Sequence, residues 1–187
     1  MRCLSLPLCK SLFRAAAAFL ALFIAAVFAA QPERLREAKV AEVENAPRVY
    51  MIGDSTMANK PIEPPNPERG WGQLLPKFFK NPDMVSNHAV NGRSSKSFLD
   101  EGRWQVVLDA LQPNDWVVIQ FGHNDEKRKD PTRYTDPGGS FRDNLRRFVD
   151  EAREKQANPL LATCVVRRKW DETGKQLVDT HGDYPDA

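Results

Sequence analysis

Residues 49–56 read Val-Tyr-Met-Ile-Gly-Asp-Ser-Thr, a short apolar run that ends in a glycine and three polar residues. Such a run is typical of a β-strand that is buried on both faces of a parallel sheet. Similar apolar runs predict three more strands, at residues 84–89, 116–121 and 160–166. The chain therefore places Ser55 just beyond the carboxyl end of its first predicted strand.

Apolar residues at helical spacing separate these strands and predict helices over residues 71–79, 104–111 and 141–152. Pro76 predicts a kink in the first of these helices. Ser140, with Asp143 three residues later, predicts the N-cap of the last one. Strands that alternate with helices predict an α/β fold with a parallel sheet and right-handed crossovers.

The N-terminus carries Arg2, Lys10 and Arg14 before an uncharged run over residues 15–30. The run is shorter than the ~20 residues that cross a membrane, and small residues precede Gln31, so the pattern predicts a secretory signal peptide at residues 1–29. An uncleaved membrane anchor is the alternative. We expect a linker at residues 30–46, one folded domain at residues 47–187, and a secreted or periplasmic protein.

The chain has 187 residues and a net charge of +2, but the three positive charges before residue 30 belong to the predicted signal. Without them the charge is about −1, which argues against a nucleic-acid partner. We also expect no membrane association after cleavage, and a monomer. Cys3 and Cys9 leave with the signal, so Cys164 has no intramolecular partner, and its apolar neighbours predict a buried, inert thiol.

Polar motifs follow the first three predicted strands. Ser55 follows the first, Gly92 the second and Asn124 the third. The carboxyl ends of parallel strands share one edge of a sheet, where ligands bind. A serine hydroxyl with fixed N–H donors, here the backbone of Ser55 and Gly92 and the side chain of Asn124, could perform acyl transfer. Each motif alone is more typical of a turn, a glycine loop or a helix cap, and it is their order and placement together that favour catalysis.

The motifs together resemble a known family. They are Gly53-Asp54-Ser55-Thr56-Met57-Ala58, Gly70-Trp71-Gly72, Ala89-Val90-Asn91-Gly92-Arg93-Ser94 and Gly122-His123-Asn124-Asp125. The set is similar to the SGNH (GDSL-type) hydrolases and, among them, to the rhamnogalacturonan acetylesterases. The resemblance implies a three-layer flavodoxin-like fold, no metal or other cofactor, and removal of acetyl groups from an acetylated pectic polysaccharide. It also implies that Ser55 is the nucleophile and that Ser55, Gly92 and Asn124 form the oxyanion hole.

Three side chains near these motifs are candidate substrate-binding residues, namely Arg93, His123 and Lys127. Lys127 belongs to a polar loop, at residues 126–139, whose basic residues could meet the carboxylates of galacturonate. A solvated, charged loop explains the same composition. Asp54 is interpreted as a local hydrogen-bonding residue.

The catalytic base is the point where the sequence departs from the family pattern. The resemblance implies a late Asp-x-x-His block, but none of His88, His123 and His181 has an aspartate three residues before it. His181 follows Asp179 by two residues only, so it is a weak candidate. Four strands are predicted where the resemblance implies five. We therefore expect the chain to be the N-terminal portion of a longer enzyme.

Three hypotheses follow from the sequence. The first is a secreted carbohydrate O-acetylesterase that acts through an acetyl-Ser55 intermediate. The second is another SGNH esterase, with a lipid or a generic ester as its substrate. The third is a glycan-binding protein without catalysis, which would lack the Asp–His pair.

Overall fold

The structure, a computed structural model, describes residues 33–34 and 46–187. The predicted signal peptide at residues 1–29 lies outside the described residues, as does most of the predicted linker at 30–46. Both stay predictions. Within the described ranges, no helix is both long and apolar enough to cross a lipid bilayer.

Four parallel strands form the sheet, in the order β2-β1-β3-β4. They are β1 (Val49–Gly53), β2 (Val85–Asn87), β3 (Trp116–Gln120) and β4 (Asn158–Leu161). This is the order in which the first four strands of a flavodoxin-like sheet lie, and its switch point falls between β1 and β3. The predicted α/β fold with a parallel sheet is confirmed.

The last strand differs most from its prediction, because β4 begins two residues earlier than residue 160 and ends at Leu161. The N–H of Asn158 donates to the carbonyl of Asp115, which starts the pairing with β3, and the N–H of Ala162 makes the final bond, to Ile119. Leu160 and Leu161 are 45% and 52% exposed. Burial on both faces therefore holds for β1 and not for β4.

The helices that flank the sheet are α1 (Trp71–Leu74), α2 (Ser95–Asp100), α3 (Arg103–Ala110) and α4 (Arg142–Glu154). At Pro76 the first helix tightens into a 3₁₀ turn, as the predicted kink requires. Helix α2 was not predicted, because it spans too few residues to show an apolar period. Its signal was Ser94, whose side chain forms a reciprocal capping box with Ser97.

The predicted cap of α4 is wrong. The helix begins at Arg142, after a π-type turn at Pro137–Phe141, and no side chain caps it. The hydroxyl of Ser140 points back along this turn and accepts a hydrogen bond from the N–H of Asp136 at 3.0 Å. Ser140 therefore closes the turn and not the helix.

Side chains on β1 alternate between two apolar clusters, because successive residues of a strand face opposite sides of a sheet. Tyr50 and Ile52 pack into the larger cluster, with Phe98, Trp104 and Phe148 of the helices α2, α3 and α4. Val49 and Met51 pack on the other side. The sheet is thus covered on both faces, which gives the three layers that the resemblance implies.

On the second face, the neighbours of Val49 and Met51 are Met57 and the partly buried Trp71 and Leu75 of the first helical segment. Cys164 is buried, as predicted, and burial raises the pKa of its thiol to about 11. A thiol with that pKa is almost entirely protonated at neutral pH, so it is a poor nucleophile.

Candidate functional site

The turn after β1 is held by Asp54, which is 1% exposed. Its Oδ1 accepts hydrogen bonds from the N–H of Thr56 at 2.8 Å and from the Thr56 hydroxyl at 2.9 Å, while its carbonyl accepts from the N–H groups of Met57 and Ala58. Asp54 is thus the local hydrogen-bonding residue expected from the sequence. Ser55 is half-buried at the tip of this turn, and no hydrogen bond to its hydroxyl is found in the described part of the chain.

Two glycines allow the segment 70–72 to press against this turn. The N–H of Trp71 donates to the carbonyl of Thr56 at 3.0 Å. A Cβ atom on Gly70 would lie 2.0 Å from the carbonyl oxygen of Ala58, and one on Gly72 would lie 2.7 Å from Met57. The Gly-Trp-Gly motif therefore supports the turn that presents Ser55.

Gln120, the last residue of β3, connects three neighbouring segments. Its Oε1 accepts from the indole N–H of Trp71 at 2.7 Å and lies 3.2 Å from the hydroxyl oxygen of Thr56, and its Nε2 donates to the carbonyl of Thr163 at 2.7 Å. These bonds fix the amide orientation and tie the Ser55 turn to the sheet from below.

The second strand end is brought to the first and third by backbone contacts. The N–H of Val90 donates to the carbonyl of Gly53 at 3.0 Å, so the loop after β2 runs beside the end of β1. Gly92 has a φ of +77°, a conformation that glycine adopts without steric cost. The next residue, Arg93, accepts a 3.0 Å hydrogen bond at its carbonyl from the Asn124 side chain.

Asn124 is buried, and both ends of its amide are occupied. Its Oδ1 accepts from the Lys127 ammonium at 2.8 Å and has the Arg133 guanidinium at 3.5 Å. Its Nδ2 uses one hydrogen on the carbonyl of Arg93. An amide nitrogen carries two hydrogens, so one N–H is left for a ligand.

Asp125 fixes the Gly122-His123-Asn124-Asp125 motif to the segments that surround it. Its carboxylate accepts four hydrogen bonds at 2.5–3.1 Å, two from the N–H and hydroxyl of Ser95 and one each from Thr135 and the N–H of Gly122. Burial raises the pKa of Asp125 to about 6, against the effect of these bonds. The carboxylate thus joins the start of α2 to the end of β3.

His123 lies between the first and third strand ends. Its Nδ1 is 3.5 Å from Oδ2 of Asp54, a separation longer than an ordinary hydrogen bond, and both atoms are buried. Burial alone would raise the pKa of Asp54, but contacts with His123 and Thr56 outweigh it and lower that pKa. The His123 ring also meets the ring of His181 edge to face, with centroids 4.5 Å apart.

The other two histidines are occupied elsewhere. His181 is buried, with Nδ1 at 3.1 Å from Glu126 and Nε2 at 3.0 Å from the carbonyl of Val165, so neither ring nitrogen is free to take a proton from Ser55. His88 bonds through Nε2 to Ser86, and burial lowers its pKa. No histidine of the described chain is hydrogen-bonded to Ser55, and the Asp-x-x-His base stays a prediction.

An open cavity of about 460 Å³ lies beside Gly92. Polar and charged side chains form most of its wall: Arg93, Ser97, Asp100, Glu101, Asp130, Thr132 and Arg133. Of the candidate substrate-binding residues, Arg93 lines this cavity, Lys127 contacts Asn124, and His123 lies against Asp54. The carboxylates of the wall were not predicted as part of the site, because they come from the end of α2 and from a loop distant in sequence. No group of three or more metal-ligating side chains was found among the residues that the structure describes.

Comparison with known proteins identifies the family. The profile of the GDSL-like lipase/acylhydrolase family matches residues 51–187, a range that contains all of the motifs above. The chain belongs to this family. The resemblance inferred from the motifs is thereby confirmed.

Two curated relatives of this GDSL-like chain come from Bacillus subtilis. The rhamnogalacturonan acetylesterase RhgT is 42% identical over 140 residues, which cover 75% of the chain and 58% of that protein. The probable rhamnogalacturonan acetylesterase YesY is 40% identical over 141 residues, which cover 75% and 62%. The chain thus spans about three-fifths of the length of these relatives.

The GDSL-like fold is also found in a solved structure, that of protein YXIM from Bacillus subtilis. The two share 26% sequence identity with a TM-score of 0.60, over 70% of this chain and 36% of that one. The similarity supports the parallel α/β architecture described above.

Proposed function

We propose that the protein to which this chain belongs hydrolyses acetyl esters on rhamnogalacturonan, a pectic polysaccharide, and that it acts outside the cytoplasm. The substrate class rests on the names of the two Bacillus subtilis relatives. The location rests on the signal-peptide pattern at residues 1–29.

The observation that carries the proposal is the meeting of three strand ends. Asn124 donates to the carbonyl of Arg93, directly after Gly92, and His123 touches Asp54, directly before Ser55. These contacts bring the loops that carry the Ser55 hydroxyl, the positive-φ Gly92 and the Asn124 amide together at one edge of the sheet. Ester hydrolysis through a serine needs this set of groups.

In the proposed reaction the Ser55 oxygen attacks the acetyl carbonyl carbon as a base removes the hydroxyl proton. The carbonyl oxygen becomes an oxyanion that accepts from the N–H groups of Ser55, Gly92 and Asn124. The tetrahedral intermediate then expels the sugar oxygen, which takes the proton and leaves acetyl-Ser55. Water releases acetate by the reverse sequence. The base is the expected Asp-x-x-His pair.

The composition of the cavity beside Gly92 favours a sugar ester over a lipid ester. Its wall carries arginine and carboxylate side chains, which would lose solvation without compensation against an acyl chain. We therefore expect turnover of nitrophenyl acetate to exceed that of long-chain nitrophenyl esters. The reverse preference would favour a lipid esterase.

Acetate release from acetylated rhamnogalacturonan tests the proposal. The assay uses the product of the complete reading frame, whether or not it continues past codon 187, with Ser55→Ala as the variant. Without its nucleophile the enzyme should lose about 10³-fold or more in kcat. Ser140→Ala is the matched control, because Ser140 is exposed in the turn before α4 and should leave kcat unchanged.

Unchanged acetate release by Ser55→Ala would contradict the serine mechanism. A wild-type protein that binds the polysaccharide but releases no acetate would favour the glycan-binding hypothesis.

A further inference from the structure

We propose that the cavity beside Gly92 binds a neutral sugar residue through its hydroxyl groups, and that it disfavours a sugar carboxylate. That this sugar lies next to the acetylated ring rests on the function proposed above. Binding of the sugar itself can be measured without any turnover. The proposal replaces the expectation that this side of the site attracts galacturonate.

Both guanidinium groups in the wall of the cavity already have a carboxylate partner. Arg93 donates from Nε to both carboxylate oxygens of Glu101 at 3.1 Å, and from Nη1 to the carbonyl of Asn91. Arg133 donates from Nε to Asp130 at 2.5 Å. Each arginine of the wall is therefore already neutralised by a carboxylate of the same wall.

The third carboxylate of the wall is paired as well. Asp100 accepts from the ammonium of Lys96, one turn earlier on α2. Glu101 also contacts Arg103, and the contacts with Arg103 and Arg93 lower its pKa, so it stays ionised at neutral pH. The wall is a set of ion pairs, with no unpaired cation facing the cavity.

Such a wall suits hydroxyl groups better than a carboxylate. A carboxylate is only an acceptor, so it would have to displace Glu101 or Asp130 from its arginine and lie beside the carboxylate that it displaced. A sugar hydroxyl both donates and accepts, so it can donate to a carboxylate oxygen and accept from a guanidinium N–H while the ion pair stays intact.

The position of Arg133 relates the cavity to the ester. Its Nη1 lies 3.9 Å from the place that a Cβ atom on Gly92 would occupy, and 3.5 Å from Oδ1 of Asn124. Gly92, one of the three proposed oxyanion donors, thus lines the cavity, and Asn124 contacts the Arg133 side chain of its wall. A sugar ring seated there would adjoin the ring whose acetyl carbonyl is held by Gly92 and Asn124.

The test is a binding titration of the chain, followed by nuclear magnetic resonance, with methyl galactoside and methyl galacturonoside. These ligands differ only in a CH₂OH group against a carboxylate. We expect the galactoside to perturb the amides of residues 92–101 and 130–133, and to bind several-fold more tightly than the galacturonoside at low salt.

Asp130→Asn provides a gain of preference that a poorly folded variant could not mimic. The substitution frees the Arg133 guanidinium, so the ratio of galacturonoside to galactoside affinity should rise about tenfold, as expected for a new charge-assisted pair. Glu101→Gln should act in the same direction through Arg93. Asp143→Asn is the matched control, since Asp143 forms the same i,i+3 pair with Arg146 on α4, outside the cavity.

Tighter binding of the galacturonoside by the wild type would overturn the proposal. So would the absence of perturbations around the cavity with either glycoside, or an equal change of preference in Asp143→Asn. If the predicted preferences hold while acetate release fails, the neutral-sugar site stands and the esterase function does not.

Discussion

The ammonium nitrogen of Lys127 lies 2.8 Å from Oδ1 of Asn124, so a positive charge holds the carbonyl end of the amide that is the proposed oxyanion donor. The opposite end, Nδ2, is thereby directed to the carbonyl of Arg93, and its second N–H is the proposed oxyanion donor. An amide can rotate by half a turn and exchange its oxygen for its nitrogen. Lys127 opposes that exchange, because the flipped amide would set an NH₂ group against the ammonium.

Lys127→Met should therefore lower kcat about tenfold with little change in KM, because it weakens the orientation of a donor whose full removal costs about 10²–10³-fold. Lys127→Arg should restore most of the rate, since it keeps the charge. Steady-state kinetics of acetate release measures both parameters. Lys175→Met, in an exposed hairpin, is the control for loss of a lysine.

A rise in KM at unchanged kcat in Lys127→Met would contradict the positioning role. It would instead support the expectation from the sequence that Lys127 binds substrate directly.

Asp125 should make the folded protein less stable as pH rises, which is the opposite of the effect of a carboxylate with a lowered pKa. Its pKa is about 6 in the folded protein and about 3.8 when unfolded, so between these values only the folded state holds the proton. The free energy of unfolding should therefore decrease by about 2 kcal/mol from this group as pH rises from 4 to 6. Most of this change should be absent in Asp125→Asn.

Urea denaturation at several pH values measures the difference in the free energy of unfolding between the wild type and Asp125→Asn. Asp54 and Glu101 contribute with the opposite sign, but equally in both proteins, so their contributions cancel in this difference. Parallel pH profiles for the two proteins would show that Asp125 does not titrate in this range.

Gly70 tests the packing beneath the Ser55 turn. Its substitution by alanine would place a Cβ atom 2.0 Å from the backbone oxygen of Ala58, and backbone cannot move aside as a flexible side chain can. We expect Gly70→Ala to lower the free energy of unfolding by about 3 kcal/mol or more. Gly138→Ala, whose nearest neighbour would be 3.7 Å away, should change it by less than about 0.5 kcal/mol.

Chemical denaturation of the two glycine variants checks this comparison. Equal stabilities would mean that the segment 70–72 shifts freely, and that it does not support the turn.

The sequence was informative where a feature depends on a few consecutive residues. The apolar run of β1, the kink at Pro76 and the Gly-Asp-Ser and Gly-His-Asn-Asp motifs each lie in one short stretch, so their places in the fold were predicted. The three strand ends could be brought together because parallel strands share one edge.

Features that depend on a choice between competing local hydrogen bonds, or on tertiary contacts, were not predicted. Ser140 was expected to cap α4, but a competing bond to Asp136 holds it in the preceding turn. Arg93 pairs with Glu101 and Arg133 pairs with Asp130, so these two arginines are not free to bind a substrate carboxylate as their positive charge suggests. No local pattern reveals that the loop of Arg133 folds over Gly92.

The arrangement around Gln120 and the cavity beside Gly92 has an evolutionary consequence. The contacts of Gln120 with Thr56, Trp71 and Thr163 lie between the Ser55 turn and the sheet, whereas Asp130 and Arg133 belong to a loop at the surface. Mutations can therefore accumulate in the loop and change which sugar is selected, while the platform under the serine stays constant. The same fold can therefore acquire new sugar specificities while its ester-hydrolysing groups are retained.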